Sequence, residues 1–335
     1  IVFTSGKAVG QRNPGDWGGI IILGKAKTNR STEPTIEGGV GKNFGGTVDN
    51  DNSGTLKYVR IEFAGIASQP NSEINGLTLG GVGSGTTIEY VQVAYGNDDA
   101  FEIFGGTVNA KYLVAYATAD DDFDFDFGYS GRIQFGVSLR DPSVVDPGDA
   151  GNGVECDNDG TGTNATPATR PVLSNFTFIG PNVDNTASKN HNFANRFRRA
   201  TNFVLNNSVL IGWMKGGLSL ESDATYNSLV GTTTTSEFKN NLLHANASTY
   251  RIGSVTVAGA SDAAVKAKAE GSATITLAAA ADAKITDPFN LTSPNLLPAS
   301  GSPALTGAAF AGDLTNSFFT STTYRGAFST TNWMA

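Results

Sequence analysis

The chain has 335 residues, with 31 Asp and Glu against 23 Lys and Arg (formal charge −8), 41 glycines, two histidines and one cysteine. That length supports a sizeable core in one large or two ordinary domains, while the acidic balance argues against nucleic acid as a partner. Cys156 alone excludes an internal disulfide framework and a cysteine-rich zinc site. His191 and His244 leave little for histidine-based catalysis, and no run approaches the eighteen apolar residues of a membrane span.

Abundant Gly, Thr, Ser and Asn point to an all-β, turn-rich chain. Ile1–Ser5 reads as a strand, and Gly15–Gly19 as a tight turn into the apolar run Ile20–Leu23. Residues 24–55 are loop-like. Within them Asp49–Gly54 alternates Asp and Asn before a glycine, which suits either a loop around a hard cation or an Asx-rich turn.

From Leu56 the chain repeats itself. One series is Tyr58-Val59-Arg60-Ile61, Tyr90-Val91-Gln92-Val93 and Tyr112-Leu113-Val114-Ala115, spaced 32 and then 22 residues. A second is Gly76-Leu77-Thr78-Leu79, Ala100-Phe101-Glu102-Ile103, Phe123-Asp124-Phe125, Gly153-Val154-Glu155-Cys156 and Gly217-Leu218-Ser219-Leu220. Each alternates apolar and polar residues, the period-2 mark of a strand with one buried face. Leu173–Gly180 recurs as Leu205–Gly212, and Phe238–Leu243 continues that set. Short strands recurring in the same sense, with Gly/Asn/Asp turns between them, predict a solenoid whose rungs stack into parallel sheets around one apolar interior. The expected fold is therefore all-β, a right-handed single-stranded parallel β-helix with inserted loops and one short helical segment, Ser261–Gly271, started by Ser/Asp and stopped by Gly. A β-sandwich with coincidental spacing is the alternative. A single domain spans 1–335: N-terminal rungs and loops over 1–55, regular rungs over 56–250, an Ala-rich insert and strand over 251–286, and a closing segment over 287–335 expected to cover an open end of the solenoid. Beginning at Ile1 without Met or a signal peptide, the chain is expected to be a mature or trimmed product.

Gly15-Asp16-Trp17-Gly18-Gly19-Ile20, Asp51–Glu62, Asn75–Leu79, Asn97–Glu102 and Tyr324–Phe328 together resemble a family of secreted right-handed parallel β-helix proteins of Bacteroidota-type bacteria. The resemblance implies a secreted, extracellular or outer-cell-surface location. It carries no established activity, so it transfers no catalytic residues.

The polar members of the second series, Thr78, Glu102, Asp124, Glu155 and Ser219, should form one column, with equivalent residues about 4.8 Å apart between rungs. Glu102, Asp124 and Glu155 then stack on an outward face, with Asp122 and Asp126 beside Asp124, and with Asp98, Asp99, Asp120 and Asp121 at the preceding turns. Carboxylates so close raise one another's pKa unless a cation neutralises them. These nine are the candidate Ca²⁺ ligands, against the alternative of a solvated acidic face with Asx turns. Paired carboxylates also suit a glycosidase, but no Gly-His-Gly accompanies Asn97-Asp98-Asp99. Arg196, Arg198 and Arg199 form the basic cluster, suited either to holding an anionic sugar or to pairing with acidic neighbours. Asn175, Asn207 and Asn240 or Asn241 read as a structural Asn ladder. Trp17, Tyr95, Tyr129, Trp213 and Trp333 are aromatics that can stack on sugars, and Cys156 reads as inert core. The leading functional expectation is a non-enzymatic binding protein, adhesin-like and calcium-stabilised, presenting a rigid face to a polysaccharide or another surface protein. The alternatives are a polysaccharide lyase or glycoside hydrolase and a self-assembling lattice or filament subunit.

Overall fold

The computed structural model describes residues 1–334 apart from 70, 71, 147, 149 and 184–190. The chain shuttles between two large sheets of twelve and eight strands. Leu77–Gly80, Phe101–Phe104, Phe123–Asp126 and Val154–Cys156 lie side by side in the smaller sheet; Thr55–Glu62, Thr87–Ala94, Asn109–Tyr116 and Arg132–Leu139 do so in the larger. Each strand pairs in parallel with its equivalent one rung away, as Phe123 does with Phe101 and Val91 with Leu113. This is a right-handed parallel β-helix.

The alternation seen in sequence sets the core. Phe101 and Phe123 point inward and stack at 5.2 Å, with Phe176 edge-on to Phe123 at 5.3 Å. Gly136 makes room for Phe176, since a Cβ there would lie 2.1 Å from the ring. Cys156 is buried against the Thr201 hydroxyl, and burial pushes its thiol pKa up, so it belongs to this core.

One corner of the coil is built from residues with left-handed backbone. Tyr58, Tyr90, Tyr112, Phe135, Asn175, Asn207 and Asn240 occupy equivalent positions with φ between 53° and 64°. Asn accepts this conformation readily; for a bulky residue it costs about 1–2 kcal/mol. The aromatic members offset that cost by stacking face to face, Tyr58 on Tyr90 at 4.7 Å, Tyr90 on Tyr112 at 4.4 Å and Tyr112 on Phe135 at 4.9 Å, each pair contributing about 0.5–1.5 kcal/mol. The asparagines do not bond to one another up and down the column as expected. The Asn175 amide donates to Thr322 and to the Tyr324 carbonyl, and that of Asn207 to Ser174 and to the Ala309 carbonyl.

These bonds correct the role given to the C-terminal segment. Instead of closing an end of the solenoid, it lies along the flank of the twelve-stranded sheet. There Arg325 donates to the Asn240 carbonyl, Gln134 to the Thr320 carbonyl, and Trp333 packs edge-on against Tyr112. The helix expected near Ser261 is present as Asp262–Glu270, with the Ser261 hydroxyl accepting from the Ala264 amide. A second helix, Asp223–Val230, joins it, and Tyr226, Leu229, Val265 and Ala269 add to the main core.

Phe123 is fully buried among three aromatic rings. Phe123→Ala is expected to remove about 3–5 kcal/mol, seen as a lower urea midpoint; an unchanged midpoint would contradict the stacked core.

Candidate functional site

The eight-stranded sheet carries one polar position outward on successive rungs. Its register reads Thr78, Glu102, Asp124, Glu155, Arg196, Ser219 and Arg251, each the pairing partner of the next. The acidic column expected from the sequence is therefore present at Glu102, Asp124 and Glu155. Arg196 and Arg251 belong to the same column and were missed there. The rung between Glu155 and Arg196 is 41 residues long, outside the 22-to-32 spacing, and Arg196 is flanked by Asn195 and Phe197 instead of two apolar residues.

A second polar column lies three residues earlier, at the turn into each strand. The Asp121 amide donates to Asp99 Oδ1 at 2.8 Å, and the Asn152 side chain to Asp121 Oδ1 at 2.9 Å. The two columns form the floor of an open cavity of about 320 Å³. Asp98 and Asp120 form its lip. Glu37, Glu73 and Asp146 reach in from inserted loops, so that among the described residues ten carboxylates line it and no lysine or arginine side chain does. The last three had no repeat signal to mark them. Glu73 arrives on a small antiparallel hairpin, Ala67–Gln69 with Ser72–Glu73, and Glu37 on a loop bridged between Thr35 and Asn43.

Within this trough the ligand atoms of the described residues fall into three linked sets: Asp98, Asp99 and Asp120; Asp99, Glu102 and Asp124; and Asp121, Asp124 and Glu155. In each, one oxygen per residue lies within 4.8 Å of the others, a separation two Ca–O bonds of about 2.4 Å can span across one ion. Asp99 and Asp124 are shared between sets, the arrangement that bridging carboxylates would have between neighbouring ions. Asp124 Oδ1 is buried without a hydrogen-bond partner, and a buried oxygen in that state is costly unless a ligand meets it. The all-oxygen donor set fits a hard cation.

The electrostatics agree. Burial, reinforced by Glu37 and Glu73, lifts the Asp98 pKa to about 8. Asp99, Glu102, Asp121 and Asp124 are raised well above the ordinary carboxylate range, first by burial and then by their acidic neighbours, except that for Asp121 the Arg140 charge also pulls downward. Glu155 is lifted to about 8 by burial and Asp121, even with Arg198 and Arg196 opposing.

Two of the nine expected carboxylates do not join the trough. Asp122 turns into the interior, where it meets Arg140 Nε at 3.1 Å and accepts from the Thr118 and Ser138 hydroxyls. Asp126 lies at the far end of its strand and accepts from the Phe127 amide. The reason is local: the strand runs Phe123–Asp126, so Asp122 sits on the turn and its side chain does not follow the strand's alternation. The arginine cluster is occupied by carboxylates. Arg196 pairs with Glu155 and Glu221 at 3.1 Å each, Arg198 with Glu155 and with Asp157 at 2.8 Å, and Arg199 with Asp157 at 2.7 Å. The Asp49–Gly54 loop is an Asx turn, with Asn52 Oδ1 accepting from the Gly54 amide and Asp49 paired with Lys27 at 2.8 Å. Of the aromatics considered for sugar stacking, Tyr129 and Trp213 are fully buried.

Fold and site together define a parallel β-helix protein with a carboxylate-lined trough on one sheet. The chain belongs to the pectate-lyase-like β-helix domain family, whose model matches residues 1–286. No match was found among curated proteins or among solved structures. Among the described residues, no helix is long and apolar enough to cross a membrane.

The raised pKa values carry a sign for stability. A carboxyl whose folded pKa lies near 8 holds its proton in the folded state and has lost it in the unfolded chain between about pH 4 and 8, so unfolding releases protons and stability falls as pH rises through that window. Metal-free protein is expected to show a Tm that declines from pH 5 to pH 8, with calcium flattening the decline. A metal-free Tm independent of pH across this range would contradict the burial of these groups.

Proposed function

We propose that the chain is a calcium-binding β-helix protein that works outside the cell, holding an acidic polysaccharide through metal ions seated in the trough. The observation that carries this reading is the trough itself: among the described residues, ten carboxylates surround one cavity and no cationic side chain lines it. At neutral pH such a cluster needs protons or cations, and only cations leave a surface with open coordination positions for hydroxyl and carboxylate groups of a sugar chain. Extracellular calcium reaches the concentration range at which open, surface-accessible oxygen sites fill.

A polysaccharide-cleaving enzyme is the second reading, favoured by carboxyl groups held protonated near neutral pH, which suit a general acid. A lyase would also need a free base. Arg196 and Arg198 are poor ones, since their carboxylate partners outweigh burial and raise their pKa values, keeping them protonated. Binding without turnover therefore fits the site better.

Calorimetry with Ca²⁺ should detect more than one ion per chain, and saturating calcium should raise Tm by roughly 5 °C. Asp124→Asn and Glu102→Gln are expected to weaken calcium binding at least tenfold, and Asp126→Asn to leave it unchanged. Absence of calcium uptake by the unaltered chain would sink the proposal, and release of shortened sugar products would shift it to the enzyme reading.

A further inference from the structure

Beyond Glu155 the outward column of the eight-stranded sheet changes sign. Three strand spacings farther on, about 14 Å away, stands Arg251, with Arg196 and Ser219 between. Around these residues opens a hollow of about 520 Å³, separate from the trough, in which Arg196, Lys215 and Arg251 face, among the described residues, a single carboxylate, Glu221. That carboxylate is already engaged. Its oxygens accept from Arg196 at 3.1 and 3.2 Å and from the Ser219 hydroxyl at 3.0 Å, leaving Arg251 at 3.7 Å. Lys215 makes no ion pair among the described residues, and the charges that act on it are those of Arg196 and Arg251. Arg251 is held over the Phe193 ring at 5.0 Å, which fixes the direction of its guanidinium. Among the described residues, two cations thus stand over an accessible cavity without a full counter-charge, on a chain whose formal charge is −8.

We propose that this hollow binds an oxyanion, the carboxylate or sulfate substituent of an acidic polysaccharide whose chain runs along the rung axis toward the trough. The guanidinium supplies a directional pair of N–H donors, Lys215 a movable charge, and the cavity room for a sugar ring. The direction of the polymer rests on the calcium reading of the trough; the oxyanion site does not.

The experiment measures binding of two oligosaccharides of equal length, an oligogalacturonate and a chondroitin sulfate, by calorimetry in EDTA and again in calcium. The chain as it stands should bind at least one of them, which identifies the substituent as carboxylate or sulfate. Lys215→Met with Arg251→Gln should weaken that binding at least tenfold in the same buffer, while Lys215→Arg with Arg251→Lys retains most of it. Both side chains are partly exposed, so an unchanged Tm is expected to show that the variants fold. Equal binding by the Met/Gln variant, or no binding of either probe in either buffer, overturns the proposal. Calcium titration without sugar reports on the trough separately. If calcium fails to bind but Lys215→Met with Arg251→Gln still abolishes sugar binding in EDTA, the oxyanion site stands and the trough reading falls.

Discussion

Everything in this molecule follows from the parallel ladder, which sets each residue about 4.8 Å above its equivalent. Like is placed on like, so one choice of side chain becomes a column. For Phe101 over Phe123, or Tyr90 over Tyr112, the result is a stack that stabilises both rungs. For Glu102, Asp124 and Glu155 it is repulsion. Two unit charges at that spacing, in an effective dielectric of about 20, repel by roughly 3 kcal/mol. That exceeds the cost of a left-handed tyrosine or the gain from one aromatic pair. The acidic column is thus unfavourable when its carboxylates are ionised, and its neighbours show how such charge is met elsewhere. Asp122 has Arg140, and Asp157 has Arg198 and Arg199. Glu155, at the edge of the trough, has Arg196 and Arg198, while among the described residues no lysine or arginine lines the trough itself.

The solenoid was legible because its strands are short and patterned with period two, so Phe101 and Phe123 could be aligned by eye and were found paired. The acidic column was legible for the same reason. What escaped lies where the repeat gives no guidance. Arg196 sits after a rung of 41 residues, and its place beneath Glu155 depends on a loop length that no pattern states. Glu37, Glu73 and Asp146 come from loops whose path depends on tertiary contacts. Asp122 reads in sequence as one more aspartate in an alternating run, yet a turn sends it inward to Arg140, 18 residues farther along the chain (140 − 122). The helix at Asp223–Val230 was hidden by Thr, Asn and Ser, which favour caps and turns over helix interiors; the Ser222 cap and the burial of Tyr226 and Leu229 outweigh that preference.

The two large sheets are used differently, and the proposed function rests on the difference. Along the twelve-stranded sheet, the corner column of left-handed residues gives way from aromatic rings to asparagines, and the asparagine amides fasten the C-terminal segment across the rungs. Arg325 strengthens that seam by donating to the carbonyls of Asn240, Pro303 and Thr306. That flank is spent on packing. Among the described residues, the eight-stranded sheet has no such cover over its polar column. Its inserted loops bring further acids to the trough instead of apolar side chains to a core, and its column passes from carboxylates to guanidinium groups without a break in register. Conformational rigidity matters here, because ions and charged sugar groups are held only where donor positions are fixed in advance. A ladder of hydrogen-bonded rungs fixes them at a constant spacing, so a repeating polymer of alternating hydroxyl and acidic groups is the kind of ligand that can use several rungs at once.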